Sequence, residues 1–171
     1  MSLVRVEFIN PFVSAVSKTF EMMVNLKVTR SAPVLKENQR TLYPVSGIIG
    51  LTGSLVGTVI LTMSEPLALK VASAMLMDDL KTVDTDVLDA IGELTNMIAG
   101  NAKAQLEEYK LSLSLPNVIY GADMEVYFPE QSQPITIPFE TEIGPFAIDV
   151  GFSDKVNENE SFAGQPLAVS R

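Results

Sequence analysis

The stretch DAIGELTNMIAGNAKAQLEE, residues 89–108, sets a carboxylate, Glu93, and a carboxamide, Asn96, three positions apart. In a helix that spacing puts both side chains on one face, with Cβ atoms about 5–6 Å apart. Such a pair brings no nucleophile, no metal shell and no phosphate-binding loop. What it can do is orient a water and stabilise charge, so it must complete an active site supplied largely by another molecule. Asp89, Gly100 and Lys103 fall on the same stripe. The chain holds neither histidine nor cysteine, which removes the usual base of a serine or cysteine triad and leaves only oxygen ligands for a metal. No structural metal is expected.

Two glycines make this helix unusual. Glycine in a helix interior costs roughly 1 kcal/mol against alanine, and asparagine is also a poor helix former. On a wheel of about 100° per residue, Val87, Ile91, Leu94, Ile98 and Ala102, flanked by Leu88, Thr95 and Leu106, make one broad apolar face. Asp89, Glu93, Asn96, Gly100, Lys103 and Glu107 occupy the opposite side. A polar stripe of this kind is ordinarily just a solvated face. An exposed face, however, has no packing reason to choose glycine, and Gly100 clears space one turn beyond Asn96 for another backbone to approach. Gly92 is better placed to allow close packing inside the domain.

The elements that must position this helix follow from pattern. At 171 residues and 47% hydrophobic content the chain can bury a real core. Asn10 and Pro11 read as a capped helix start, with Phe12, Val13, Val16 and Phe20 at helical spacing. Leu26 to Leu35 alternates as a strand. Tyr43 to Leu51 and Leu55 to Met63 read as a hairpin about a Thr-Gly-Ser turn, and Ser64 to Met77 as a second helix with Pro66 at its start. The long helix spans Asp84 to Tyr109. Leu111 to Tyr120, Met124 to Phe128, Ile135 to Thr141 and Phe146 to Phe152 read as strands, the last two joined at Gly144-Pro145. Helix, strand and hairpin thus occur in each half, which predicts an α+β domain: an antiparallel sheet of hairpin-linked strands, long helices packed on one face, and two pseudo-repeated halves. Residues 1–155 form one domain in this reading, and 156–171 a flexible C-terminal tail.

A net charge of −9 lacks the basic footprint of nucleic-acid binding and disfavours anionic membrane surfaces. No apolar run reaches the roughly 18 residues of a membrane span, and the N-terminus has no secretory pattern. A soluble, cytoplasmic protein is the expectation.

Asp89-x-x-x-Glu93-x-x-Asn96, within DAIGELTNMIAGNAK, resembles the signature helix of the CheC/CheX/FliY family of chemotaxis phosphatases, and the glycines before Glu93 and after Asn96 add to the likeness. The Asn10-Pro11-Phe12 opening, the segment SGIIGLTGSLVGTVILTMSE and the segment ITIPFETEIGPFAIDVGFS are similar to the CheX-type branch. The resemblance implies hydrolysis of the aspartyl phosphate of a CheY-like response regulator. In that family the amide positions the attacking water and the glutamate pairs with a lysine of the regulator. Carried onto this chain, Asn96 and Glu93 are the catalytic pair, and Asp89, Gly100 and Lys103 border the partner. Mg²⁺ belongs to the regulator's active site, and the chain needs no cofactor of its own. The resemblance also implies a homodimer. The first helix nearly repeats the signature with Ser17, Glu21 and Asn25, but the amide position is taken by Val24; Asn25 is expected to be rotated away from Glu21, leaving one active helix. A non-catalytic module that binds a regulator or a motor or receptor component is the alternative.

Overall fold

The computed structural model describes residues 6–155, and the proposed tail, 156–171, lies outside them. A short 3-10 turn, Val6–Phe8, runs into α1, Ile9–Val24. Two short strands, β1 (Thr29–Arg30) and β2 (Val34–Leu35), precede the hairpin β3 (Val45–Thr52) and β4 (Leu55–Met63). Helices α2 (Glu65–Leu76) and α3 (Thr85–Ala104) follow, then β5 (Ser112–Leu113), β6 (Asn117–Tyr120), β7 (Ile135–Glu140) and β8 (Pro145–Asp154).

All eight strands join one antiparallel sheet in the order β1-β7-β8-β4-β3-β5, with β2 also pairing β7 and β6 also pairing β3. Each edge is therefore a strand broken in two. Pro33 and Pro116 sit at the breaks, and because proline has no N–H to donate, the ladder cannot run through it. The order helix, broken edge strand, hairpin occurs twice along the chain, and each half's edge strand pairs with the other half's hairpin. The long β4–β8 ladder, from Leu55↔Asp154 to Met63↔Phe146, joins the halves at the centre.

Alternation along β3, β4, β7 and β8 sends Ile49, Val59, Leu61, Ile137, Ile148 and Val150 to the face the helices cover, where they are buried. Phe20 of α1 stacks on Phe146 with ring centroids 4.4 Å apart, and Phe146 stacks on Phe139. On the other face segments 36–43 and 121–134 cover the sheet. The Lys36 ammonium meets the Asp149 carboxylate at 3.0 Å there, and the Thr136 hydroxyl donates to the same carboxylate at 2.6 Å.

Several boundaries differ from the sequence reading. Asn10 is not a cap: the preceding turn brings Phe8 into the core against Phe152, so α1 starts at Ile9 and Pro11 falls inside its first turn, where N–H groups lack intrahelical partners anyway. The long helix stops at Ala104, not Tyr109. The amides of Gln105 and Leu106 bond back three residues, to Ala102 and Lys103, tightening the last turn and dropping Leu106 into the core. The single strand over Leu26 to Leu35 is only the pieces β1 and β2. Met124 to Phe128 is not a strand; it makes one bridge, Arg40↔Glu125, and lays Phe128 over Gly151.

Candidate functional site

The site helix is built by its caps and its seat. The Asp84 carboxylate accepts from the Val87 amide at 3.1 Å, the N-cap bond that starts α3. Val87, Ile91, Leu94, Ile98 and Ala102 are all buried, as the wheel requires, and Ala90 and Ala99 are buried as well, because α1 and α2 both pack against α3. Asn101 donates to the Thr19 hydroxyl at 3.1 Å, tying α3 to α1. Thr95 is fully buried and donates to the Ile91 carbonyl at 2.7 Å. It sits on Gly47 of β3, where an added Cβ would fall 2.0 Å from the Thr95 hydroxyl oxygen. Gly47 is thus what lets α3 lie this close to the sheet.

The two helix glycines have different surroundings. A Cβ on Gly92 would lie 3.1 Å from a methyl of Val118 on β6, so Gly92 is an internal packing choice. A Cβ on Gly100 would meet only the Leu113 side chain, at 4.0 Å. That is ordinary contact, and nothing within the described residues requires glycine there.

Asp89 and Glu93 are exposed, while Asn96, Gly100 and Lys103 are half-buried. The structure places all five on the uncovered stripe of α3. Among the described residues, no side chain forms a hydrogen bond or ion pair with Glu93 or Asn96. Both therefore keep their full hydrogen-bonding capacity for an incoming group: two acceptor oxygens on one, an acceptor and two donor hydrogens on the other. Such a pair can bind a cation and hold a water; by itself it cannot activate one. No cluster of three or more carboxylates with metal-holding geometry occurs among the described residues, nor does any helix there have the length and apolarity to cross a membrane.

On α1, which carries the near-repeat, the helix ends at Val24 and Asn25 is its C-cap in the left-handed region at φ 54. Ser17, Glu21 and Asn25 line an open groove. Val24, in the position that Asn96 holds on α3, is buried, so α1 carries no amide three residues after its glutamate.

Two features escaped the sequence reading. One is the buried ion pair of Lys36 and Asp149; the only signal was a carboxylate inside the apolar run of β8. Burial raises the Asp149 pKa above the usual carboxylate value, against the opposing pull of Lys36 and the Thr136 hydrogen bond. The other is a groove at the C-terminal end of the stripe, lined by Gly100, Lys103, Ala104, Leu106, Glu107, Lys110 and Leu111.

With this geometry in hand, similarity to known proteins is informative. A family model described as chemotaxis phosphatase CheX matches residues 45–140. The chain is 29% identical over 121 residues to the CheY-P phosphatase CheX of Thermotoga maritima, covering 69% of this chain and 78% of that protein. The crystal structure of a CheX from Desulfovibrio desulfuricans superposes with a TM-score of 0.79 at 33% identity, over 86% of this chain and 100% of that one. A Borrelia burgdorferi CheX, solved in a CheX–CheY–BeF3–Mg²⁺ complex, superposes with a TM-score of 0.72 at 26% identity, over 88% of this chain and 100% of that one.

Proposed function

The chain belongs to the CheX chemotaxis phosphatase family, and from that premise we propose that it hydrolyses the aspartyl phosphate of a CheY-like response regulator by inserting Glu93 and Asn96 into the regulator's active site. The observation that carries the mechanism is the unpartnered acid–amide pair on the open stripe of α3. An acyl phosphate is already activated, and phosphoryl transfer is catalysed mainly by positioning and electrostatics. The chain's own share is small and well defined. The Asn96 side-chain oxygen accepts a hydrogen bond from the attacking water and holds the water oxygen in line with phosphorus. Glu93 pairs with a lysine of the regulator, which fixes the approach of α3 and so the depth to which Asn96 reaches. Asp89 borders the partner at the other end of the stripe.

Mg²⁺ is supplied by the regulator in this mechanism, as its presence in the Borrelia complex suggests by analogy; the chain contributes no cofactor. The working form is a homodimer. The direct test is phosphate release from a phosphorylated CheY-like regulator with and without the protein. Acceleration at substoichiometric amounts supports catalysis. Tight binding without acceleration would favour a non-catalytic regulator-binding module instead.

A further inference from the structure

The groove at the end of α3 has a basic rim in a chain of net charge −9. Lys103 and Lys110 both line it, Glu107 is the acid among its lining residues, and Ala104, Leu106 and Leu111 are the apolar ones. Its volume is about 460 Å³, within the roughly 300–1,000 Å³ range of ligand sites. It is continuous with the candidate site, because Gly100 and Lys103 belong both to the stripe and to the groove.

Lys103 alone would be unremarkable, since a cation in the last turn of a helix is favoured by the helix dipole. Lys110 lies beyond the helix and has no such reason. It is held in the left-handed region at φ 48, ψ 46, a conformation costing a non-glycine residue roughly 1 kcal/mol or more. The surrounding structure enforces it. The Lys110 amide bonds the Glu107 carbonyl at 3.0 Å, and the β3–β4 turn grips the same loop through Ser54, whose amide donates to the Tyr109 carbonyl at 2.9 Å. Gly53 makes that grip possible, because a Cβ there would fall 2.6 Å from the carbonyl oxygens of both Tyr109 and Lys110. Glycine would satisfy position 110 without strain, yet the chain places a lysine there, lining the same groove as Lys103.

The stripe is therefore polar along its length. Asp86, Asp89 and Glu93 occupy its first half, and Lys103, Glu107 and Lys110 its end. We propose that this groove is a second docking contact for the phosphorylated response regulator, taking an acidic, apolar-tipped element of its surface between Lys103 and Lys110. The inference rests on the phosphatase reading above and adds a polarity to it. The regulator's cationic side lies toward the start of α3 and its acidic side toward the end, so Asn96 is offered to the phosphate in one orientation only.

The test uses the full chain and a CheY-like regulator. Reversing one rim charge, Lys110→Glu, should raise KM about fivefold, and reversing Lys103 as well should raise it about tenfold or more, with kcat within about twofold of the parent. KM of the parent should climb from about 50 to about 200 mM salt, and the double variant should lose most of that dependence. Lys110→Gly separates docking from folding: it relieves the left-handed strain, so it should melt no lower than the parent while still raising KM. Affinity for beryllofluoride-loaded regulator gives the same comparison without turnover. Unchanged KM, affinity and salt dependence in Lys110→Glu, alongside an inactive Asn96→Ala protein, would overturn the groove and leave the phosphatase reading standing. A parent protein that neither binds the loaded regulator nor speeds phosphate loss would overturn both.

Discussion

Gly100 offers a way to separate what the helix needs from what the partner needs. Replacing an interior helix glycine by alanine gains roughly 1 kcal/mol from propensity and from the restricted unfolded chain. Against that, the structure offers no clash, because the new Cβ meets only Leu113 at 4.0 Å. Gly100→Ala should therefore stabilise the protein by about 0.5–1 kcal/mol, raising Tm by roughly 1–4 °C for a domain of this size. Gly100→Leu should be nearly as stable, since leucine is also a good helix former, but it places a branched side chain where the regulator must approach. Its dephosphorylation activity should fall about tenfold or more while its Tm rises. The assay pairs thermal unfolding with phosphate release from the regulator for both variants. A Gly100→Leu protein with full activity would refute the idea that this stripe is the docking face. A Gly100→Ala protein less stable than the parent would refute the geometry from which the argument starts.

Other parts of the account can be checked separately. Gly47→Ala would drive a methyl into Thr95 and should destabilise by about 2 kcal/mol or more in denaturant unfolding, with Thr95→Ala restoring part of the loss. Asp149→Ala leaves Lys36 buried without its partner and should cost about 3–5 kcal/mol, whereas Lys36→Met combined with Asp149→Leu should cost far less. Because burial raises the Asp149 pKa, the stabilisation tied to its titration is full below the usual carboxylate value and fades as pH rises through the raised one. The stability difference between parent and Asp149→Asn should accordingly narrow from about pH 4 upward when unfolding is followed across pH. Light scattering should return twice the 18.6 kDa of one chain; a monomer at micromolar concentration would contradict the proposed homodimer.

The sequence was most legible where a single period dominates. β4 runs from Leu55 to Met63 as the β-rich run predicts, and α2 follows Ser64 as the cap residues at its start predict. The buried face of α3 follows from the wheel residue by residue, and the sheet with helices on one face follows from the order of elements. The losses come where tertiary contacts override local pattern. Phe8 is drawn to Phe152, which moves the start of α1 back to Ile9, ahead of Asn10. The demand to bury Leu106 ends α3 early. Pro33 and Pro116 interrupt edge strands whose alternation reads as continuous. Glu93 and Asn96 stand out in the sequence because a polar stripe carrying a needless glycine contradicts helix economics. Lys110 does not, because neither its left-handed backbone nor its place in the groove beside Lys103 has any local signature.

The central claim is that Asn96 holds the attacking water, and its most direct test is the single-turnover rate of phosphate loss from a saturating CheY-like regulator with Asn96→Ala in place of the parent. Removing one oriented polar group from a transition state costs about 10²–10³ in rate at comparable sites. Asn96 lies half-buried on the open stripe without a partner among the described residues, so Tm should move by no more than the equivalent of about 0.5 kcal/mol. The account predicts that loss of rate in a protein that melts like the parent and still binds the regulator. A variant that removes phosphate as fast as the parent would contradict it.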